Sequence, residues 1–513
     1  MTFTNGVASP SKASPPALPN GDSALLASST GAPTAAPVHA FATRAIHVGS
    51  EPELSSSSGV STPLDFSTTY RQTRVGSHKG FEYSRSANPT RLAYERLVAS
   101  LEGADAALAA ALAAQGLDGD AAAAFEAGPA GVAFSSGSAA TATVIQALAG
   151  HQGHIVSVGD VYGGTSRYQL KVAGPLQDVQ TTFVDMSYST QGDAGDVESE
   201  EEQDRAIVER VEQAIRPETK LIMVESPTNP CLSLVPIRLI ASVARKHGVY
   251  LVVDSTFANP YLQQALSLGA DVVIASSTKY ISGHSDVVGG LLATGNPSIL
   301  SKVRFLQNAH GAVPSPFDAW LLIRSIKTLA LRTRQHSLNA LAVARFLDSH
   351  ASAASVSGGG GLVRDVRYPG LKRARETPAQ RRERHLAWDQ LSDEAKRWLV
   401  REGYGRDSEG GFPCGGMVAF HIRSDAPASQ SETGTAERFL EKLQVFTLAE
   451  SLGGVESLAE LPLSMTHGGV DPAHRAKLGI DGELVRLSVG VEDIDDLLHD
   501  LETALKAAVQ PAN

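Results

Sequence analysis

The chain has 513 residues and a formal net charge of -11, and this acidic balance argues against a general nucleic-acid binder. Hydrophobic residues make up 42% of it and charged residues 19%, as in a globular enzyme large enough for two or more domains. The two cysteines, Cys231 and Cys414, predict no disulfide framework and favour a reducing, cytoplasmic location, and no apolar run reaches the roughly 20 residues of a membrane helix.

Residues 1–40 predict a disordered tail, because stretches such as "SPSKASPPALPNG" are rich in Ser, Ala and Pro and lack the apolar core of a secretory signal. Residues 41–100 predict an N-terminal arm. Its middle part, 60–90, carries many hydroxyls and several aromatics but few apolar runs, so we expect it to become ordered against something else. The segment 91–103 has helical spacing and ends on a glycine.

Residues 101–330 predict a large domain in which apolar strands alternate with helices. Continuous apolar runs indicate strands covered on both faces, and strand–helix alternation favours a mainly parallel α/β sheet. The candidate strands are "GVAF" (131–134), "HIVSVG" (154–159), "TTFVDM" (181–186), "KLIMVES" (220–226), "VYLVVDS" (249–255), "DVVIAS" (271–276) and "VGGLLAT" (288–294).

Residues 331–513 predict a smaller α+β domain that follows a long helical region at 317–347. Three segments look inserted: an alanine-rich one at about 106–131, an acidic one at about 192–205, and one at about 371–413 whose first part is basic. Charge runs are usually solvated faces, and we expect that of both charged segments.

Two residues predict chemistry at the ends of strands. Lys279 follows an apolar strand and the hydroxyl residues "SST", and a buried lysine needs a partner or a purpose. Asp254 ends another strand, at the sheet edge where α/β proteins bind ligands. When each residue is considered alone, the more common explanation for Lys279 is a lysine on the surface, and that for Asp254 is a carboxylate that caps the following segment.

Two loops complete a possible cofactor site. "SSGSAATAT" (135–143) opens a helix whose N–H groups suit a phosphate, and "DVYGGTSRY" (160–168) places Tyr162 beside two glycines. Taken alone, the first loop is more simply interpreted as a helix cap, and Tyr162 as an ordinary core tyrosine. Pyridoxal 5'-phosphate (PLP) would use all four features, with Lys279 bonded to its aldehyde and Asp254 at its pyridine nitrogen.

The sequence resembles the cysteine/methionine-metabolism family of PLP enzymes from Phe41 to about Val509, outside the three insertions. The motifs are "YSRSANPTR" (83–91), "DVYGGT" (160–165), "PTNP" (227–230), "STKYISGHSDVVGG" (277–290), "LAESLGGVESL" (448–458) and "RLSVG" (486–490). Long runs such as "FTLAESLGGVESLAELP" are most similar to members that cleave cystathionine, the fungal ones in particular. Two departures, Ser255 in "DSTF" and Ser226 in "ESPTNP", leave the chemical residues intact.

The resemblance implies a fold-type I, aspartate-aminotransferase-like architecture with a seven-stranded sheet, assembled as a homotetramer of two catalytic dimers. It implies that Tyr83 and Arg85 reach a neighbour's phosphate, and that Tyr162 stacks on the ring and serves with Lys279 in catalysis. The remaining residues that it implies for the cofactor are Gly137, Ser138, Asn229, Asp254, Ser276, Thr278 and Lys279, and those for the substrate are Glu82, Asn229, Glu450, Ser451 and Arg486. No metal site is expected.

The resemblance also implies the reaction, α,γ-elimination of L-cystathionine to L-cysteine, 2-oxobutanoate and ammonia, with hydrogen sulfide-releasing side reactions. Glu82 and Glu450 would face the distal ammonium of the substrate. A γ-replacement on an O-acylhomoserine with cysteine shares these residues and stays open as an alternative. A non-catalytic scaffold that uses the basic segment is a remote one, since the set Lys279, Asp254 and Arg486 is intact.

Overall fold

Seven strands form the larger sheet of the computed structural model, in the order β1-β7-β6-β5-β4-β2-β3. Strands β2 to β6 pair in parallel, while β7 runs antiparallel to both β1 and β6. The strands are β1 Gly131–Phe134, β2 His154–Val158, β3 Gln180–Val184, β4 Thr219–Glu225, β5 Tyr250–Asp254, β6 Val272–Ser276 and β7 Gly290–Ala293. The predicted mainly parallel α/β sheet is confirmed, with each predicted strand within two residues of its observed ends.

The structure describes residues 39–54, 57–114, 128–188, 199–352, 362–423, 434–468 and 471–508. Almost all of the predicted tail, and the stretches 115–127 and 192–198 of two predicted insertions, therefore lie outside the described residues. The described residues from Ala40 onward form one compact unit.

Helices follow most strands of the larger sheet, and several start at caps that the sequence encodes. Asn88 accepts bonds from the N–H groups of Thr90 and Arg91 to open one helix, and Gly103 ends it at φ 74°. The helices up to residue 352 are α1 Phe41–His47, α2 Pro89–Glu102, α3 Ala104–Ala114, α4 Gly137–Leu148, α5 Gly163–Tyr168, α6 Gly174–Gln177, α7 Glu200–Ala214, α8 Ile237–His247, α9 Asn259–Leu262, α10 Pro297–His310, α11 Pro316–Ile326 and α12 Leu329–Ser352.

A second, five-stranded sheet of order β10-β11-β12-β9-β8 forms the C-terminal part, and its side chains build a separate apolar cluster with α12 and the last helix. The predicted boundary at residue 330/331 falls in the first turn of α12. The strands are β8 Val363–Arg367, β9 Met417–Ile422, β10 Thr447–Leu448, β11 Leu458–Glu460 and β12 Leu484–Ser488, and the helices are α13 Pro378–Gln390, α14 Asp393–Arg401, α15 Thr435–Lys442, α16 Pro472–Leu478 and α17 Ile494–Ala508. This confirms the smaller α+β part.

The arm between Ser57 and Asn88 contains no helix or strand in its described residues, only the isolated bridges Thr69–Tyr83 and Arg74–Ser77. It leaves large apolar side chains on the surface, with Val60 81% and Phe66 64% exposed. Its predicted contact with a neighbouring subunit remains a prediction.

The expectation of a solvated face fits the described end of the acidic segment, where Glu200 is 59% exposed, but it is wrong for the basic segment, whose helix buries one side. The described end of the acidic segment forms the start of α7, capped by Ser199, and the basic segment forms α13. Arg382 of α13 is 17% exposed and pairs with Glu200 at 3.0 Å and Asp204 at 3.1 Å. Arg382 thus joins the two segments by ion pairs, which a charge count along the chain does not reveal.

The rest of the segment 371–413 ties distant parts of the chain together. Glu394 accepts the N–H of Phe41 at 2.8 Å, and the Ser392 hydroxyl donates to the Tyr261 carbonyl at 2.6 Å. Trp398 is 5% exposed, under the Arg334 guanidinium. This segment is therefore packed structure that fixes the start of α1 against α9.

Within the described ranges, no single helix has both the length and the apolar character to span a membrane. The helices α2 and α3 reach that length and composition only when they are counted together, and they are bent by 82° relative to each other. The same residues contain no group of three or more His, Cys, Asp or Glu arranged to hold a metal ion.

Candidate active site

A cavity of about 240 Å³ lies beyond the carboxyl ends of β4, β5 and β6, where α/β sheets bind ligands. It brings together residues from positions 136 to 486 of the chain. Of the residues predicted from the sequence, its lining contains Gly137, Ser138, Tyr162, Asn229, Asp254, Ser276, Thr278, Lys279, Glu450, Ser451 and Arg486.

Lys279 follows β6 and projects its amine into this cavity. The amine donates to the Ser451 hydroxyl at 2.8 Å, so the larger sheet's lysine is held by a residue of the C-terminal part. Burial, with a smaller contribution from Arg486, lowers the pKa of Lys279 to about 8, although Glu460 and Glu450 oppose the change. The neutral amine, which is the nucleophilic form, is therefore accessible near neutral pH.

Asp254 ends β5 at the floor of the cavity. Its Oδ1 accepts bonds from the Thr256 N–H at 3.0 Å and the Thr256 hydroxyl at 2.6 Å. No described residue hydrogen-bonds its Oδ2, which leaves that oxygen for a ligand. Burial raises the pKa of Asp254 and the Thr256 bonds lower it, so a cationic ligand atom here would stabilise the ionised form.

The start of α4 forms a small-residue cradle at one end of the cavity. Ser136 caps the helix, and a Cβ placed on Gly137 would lie 2.9 Å from the Cβ of Ser276, so only glycine allows this approach. The Ser276 side chain is not hydrogen-bonded within the described structure, whereas the Thr278 hydroxyl exchanges bonds with Gly289 at 3.0 and 3.3 Å. Ser276 is thus the freer hydroxyl for a phosphate.

Tyr162 stands at the mouth of the cavity, 41% exposed. Its ring covers the backbone of Gly164, where an added Cβ would lie 2.3 Å from the Tyr162 Cε1. Its own N–H donates to the Glu225 carboxyl at 2.9 Å. The tyrosine is therefore fixed at the backbone while its ring faces the cavity.

Arg486 projects into the cavity from β12 and is 2% exposed. Its guanidinium donates to the Asn229 side-chain oxygen at 2.8 Å and to the Ser451 carbonyl at 2.9 Å. It also pairs at 2.9 Å with Glu460, a fully buried carboxylate opposite it on β11, and Thr466 donates to that carboxylate. This fixed fork is suited to a substrate carboxylate.

Three predicted residues do not line the cavity of their own chain. Tyr83 is 48% exposed with Arg85 stacked over its ring at 5.4 Å, and Arg85 donates to Asn308. Glu82 lies on the surface and pairs with His78 at 3.4 Å. In a single chain, all three side chains lie on the surface, where another molecule can contact them.

Sequence reasoning missed several residues that shape the site. Thr256 holds Asp254, Glu460 holds Arg486, and Glu225 holds Tyr162. The position of Thr256 two residues after Asp254 was a usable signal, because a hydroxyl there can turn back onto the carboxylate. The sequence gives no such signal for the Glu460–Arg486 pair, because the pair depends on the register of two strands.

The residues of the cavity fit PLP. A buried amine of lowered pKa suits its aldehyde, the open Asp254 oxygen suits its pyridinium, and the glycine-lined helix start suits its phosphate. Lys279 with Asp254, Tyr162, Asn229, Ser276 and the N–H groups of α4 would hold it.

Comparisons with known proteins agree with this chemistry. The profile of the "Cys/Met metabolism PLP-dependent enzyme" family matches residues 42–118, 114–387 and 407–506, and so omits 388–406, within the predicted third insertion. The cystathionine gamma-lyase of Sus scrofa is 42% identical over 92% of this chain and 95% of its own.

Solved structures give the same result. The yeast cystathionine gamma-lyase matches with a TM-score of 0.71 and 39% identity over 93% of this chain and all of its own. A cystathionine gamma synthase from Xanthomonas oryzae pv. oryzae matches with a TM-score of 0.70 and 31% identity over 92% of this chain and 98% of its own. The chain therefore belongs to the family of PLP-dependent enzymes of cysteine and methionine metabolism.

Proposed function

We propose that the protein is a carbon–sulfur lyase that converts L-cystathionine and water to L-cysteine, 2-oxobutanoate and ammonia, the step of transsulfuration that yields cysteine. The observation that carries the proposal is the combination of the Lys279 amine, the Arg486 fork and Glu450 in one cavity. The relatives named cystathionine gamma-lyase support it over almost their full lengths.

Bound PLP supplies an aldehyde that takes an amine and a ring that accepts the electrons left at the substrate's Cα. With PLP bound, the Lys279 amine would remove the proton from the substrate's Cα and move protons at the adjacent carbon. Its flexible stem and lowered pKa suit both steps. Tyr162, at the cavity mouth, donates a proton to the departing sulfur, and Arg486 with Asn229 holds the α-carboxylate.

Glu450 gives the cavity its preference for a substrate with a distal ammonium. It is an exposed residue of the lining, next to Ser451. A carboxylate here attracts the second ammonium of cystathionine, whereas an apolar tail gives it no such contact. Smaller thiol amino acids lack that ammonium, so their hydrogen sulfide-releasing reactions are slower side reactions.

Product analysis tests the reaction directly. The purified protein is incubated with L-cystathionine alone, and separately with an O-acylhomoserine plus cysteine. The lyase assignment requires 2-oxobutanoate in the first mixture. Cystathionine formed in the second mixture, with little 2-oxobutanoate in the first, would assign the γ-replacement instead, which the similarity to the synthase structure keeps open.

We also propose a homotetramer of two catalytic dimers in the cytoplasm. Tyr83 and Arg85 lie on the surface, away from the cavity of their own chain, and the arm around them exposes Val60 and Phe66. A neighbouring copy would cover these apolar groups and receive Arg85 at its phosphate. Both cysteines are free thiols, in keeping with a reducing compartment.

Mixing inactive subunits tests the shared site. Tyr83→Phe subunits and Lys279→Ala subunits are unfolded and refolded together, so that hybrids contain one site with neither change. Turnover above that of each variant alone supports the arm crossing between chains. If the mixture shows no rescue while native gels show that hybrids form, the arm serves its own chain.

A further inference from the structure

Two carboxyl groups stand side by side beneath the cavity. Glu225 ends β4 and Asp254 ends β5, and the two residues are directly opposite each other in the parallel register of these strands. Glu225 is 2% exposed and both residues line the same cavity. Two like charges this close in a buried place cannot both be carried without a large cost.

The surroundings decide which carboxyl keeps the proton. Asp254 receives an N–H and a hydroxyl bond from Thr256, both of which stabilise its charged form. Burial raises the pKa of both carboxyls, but that of Glu225 is raised well above its ordinary value, because Asp254 and Asp160 add to the effect of burial. The negative charge therefore resides on Asp254, where a pyridinium needs it, and Glu225 stays neutral.

A neutral Glu225 can still accept hydrogen bonds. Its carboxyl oxygen accepts the Tyr162 N–H at 2.9 Å. The Asn229 N–H also forms a hydrogen bond to this carboxyl, and that bond lowers the pKa of Glu225. Tyr162 covers the cavity mouth, while Asn229 receives the Arg486 guanidinium. One side chain thus connects the backbones of the tyrosine and the substrate-binding asparagine.

We propose that Glu225 is a positioning residue for the cofactor site, which in its protonated form anchors the loops of Tyr162 and Asn229 and leaves the negative charge of the pair to Asp254. A charged residue here would compete with Asp254 for the proton on the ring nitrogen. An apolar residue would leave the N–H groups of Tyr162 and Asn229 without this acceptor.

Three variants separate this role from a general effect on folding. Glu225→Ala removes the acceptor, Glu225→Gln keeps it and cannot ionise, and Glu102→Gln changes another buried carboxyl, 1% exposed and outside the cavity lining. We expect Glu225→Ala to weaken PLP affinity, measured by titration of the apoprotein, at least tenfold. We expect Glu225→Gln to recover most of that loss, and Glu102→Gln to bind PLP as the wild type does.

The pH dependence of unfolding supplies the second readout. If Glu225 is neutral in the folded protein, the unfolding equilibrium constant of the PLP-loaded wild type rises relative to that of Glu225→Gln by up to tenfold for each pH unit above 4.5, the ordinary pKa of a glutamate. A ratio that stays constant between pH 5 and pH 8 would show an ionised Glu225 and overturn the proposal. So would a Glu225→Gln variant whose PLP affinity falls as far as that of Glu225→Ala.

Discussion

Glu102 offers a prediction whose size follows from its surroundings. It is the last residue of α2 and is 1% exposed, and neither carboxyl oxygen has a hydrogen-bond partner among the described residues. Burial raises the pKa of Glu102 to about 8. The helix C-terminus adds to this, since its carbonyl groups disfavour a negative charge.

The sign of the stability effect follows from linkage. An acid whose folded-state pKa exceeds its unfolded value costs nothing below the unfolded pKa, because it is protonated in both states. Between 4.5 and about 8 the cost grows with pH, and above that window it is constant. At about 1.4 kcal/mol per pKa unit, the full cost is about 5 kcal/mol.

The Glu102→Gln variant tests this value. It keeps the size of the side chain but cannot ionise, so its unfolding free energy should exceed that of the wild type by up to about 5 kcal/mol at pH 8 and by little at pH 4.5. Urea unfolding of both proteins, with PLP at saturation, at half-unit pH steps measures the difference. A difference that does not change with pH would refute the reasoning, since it would show that Glu102 has the same pKa in both states.

Three further predictions follow from the site and the charged segments. Lys279→Ala should abolish turnover of cystathionine, and wild-type-like turnover would remove the lysine from the mechanism. Glu450→Val should reduce kcat/KM for cystathionine at least tenfold more than for cysteine, and an equal loss on both would refute the role of its charge. The Arg382→Ala and Asp204→Ala variants, combined in a double-mutant cycle of unfolding free energies, should show about 1 kcal/mol of coupling, because the guanidinium contacts both oxygens of Asp204 at 3.1 Å; additivity would show that the contact adds no stability.

The larger sheet and the centre of the site could be predicted because both are encoded locally. Strand–helix alternation identified all seven strands, and Lys279 and Asp254 stand next to the apolar runs that place them at one edge. The resemblance supplied the remaining site residues, which the cavity brings together except for those of the arm.

What the sequence did not disclose are contacts between distant segments. Arg382 and Asp204 are 178 positions apart, so their charge runs looked like two separate solvated faces. Glu460 meets Arg486 only because β11 and β12 pair in a particular register. Such partners are set by packing, and a single sequence carries no local trace of them.

The hydrogen bond between Lys279 and Ser451 joins the two sheets at the reactive atom itself. Ser451 holds this place with a φ of 100°, a backbone conformation that non-glycine residues rarely adopt. The amine belongs to the part of the protein with the larger sheet, and its acceptor belongs to the C-terminal part. A small shift of the C-terminal sheet would therefore change the position of the Lys279 amine directly. Substitutions far from the cavity that weaken the packing of the C-terminal sheet should therefore lower the catalytic rate before they reduce the stability of the fold.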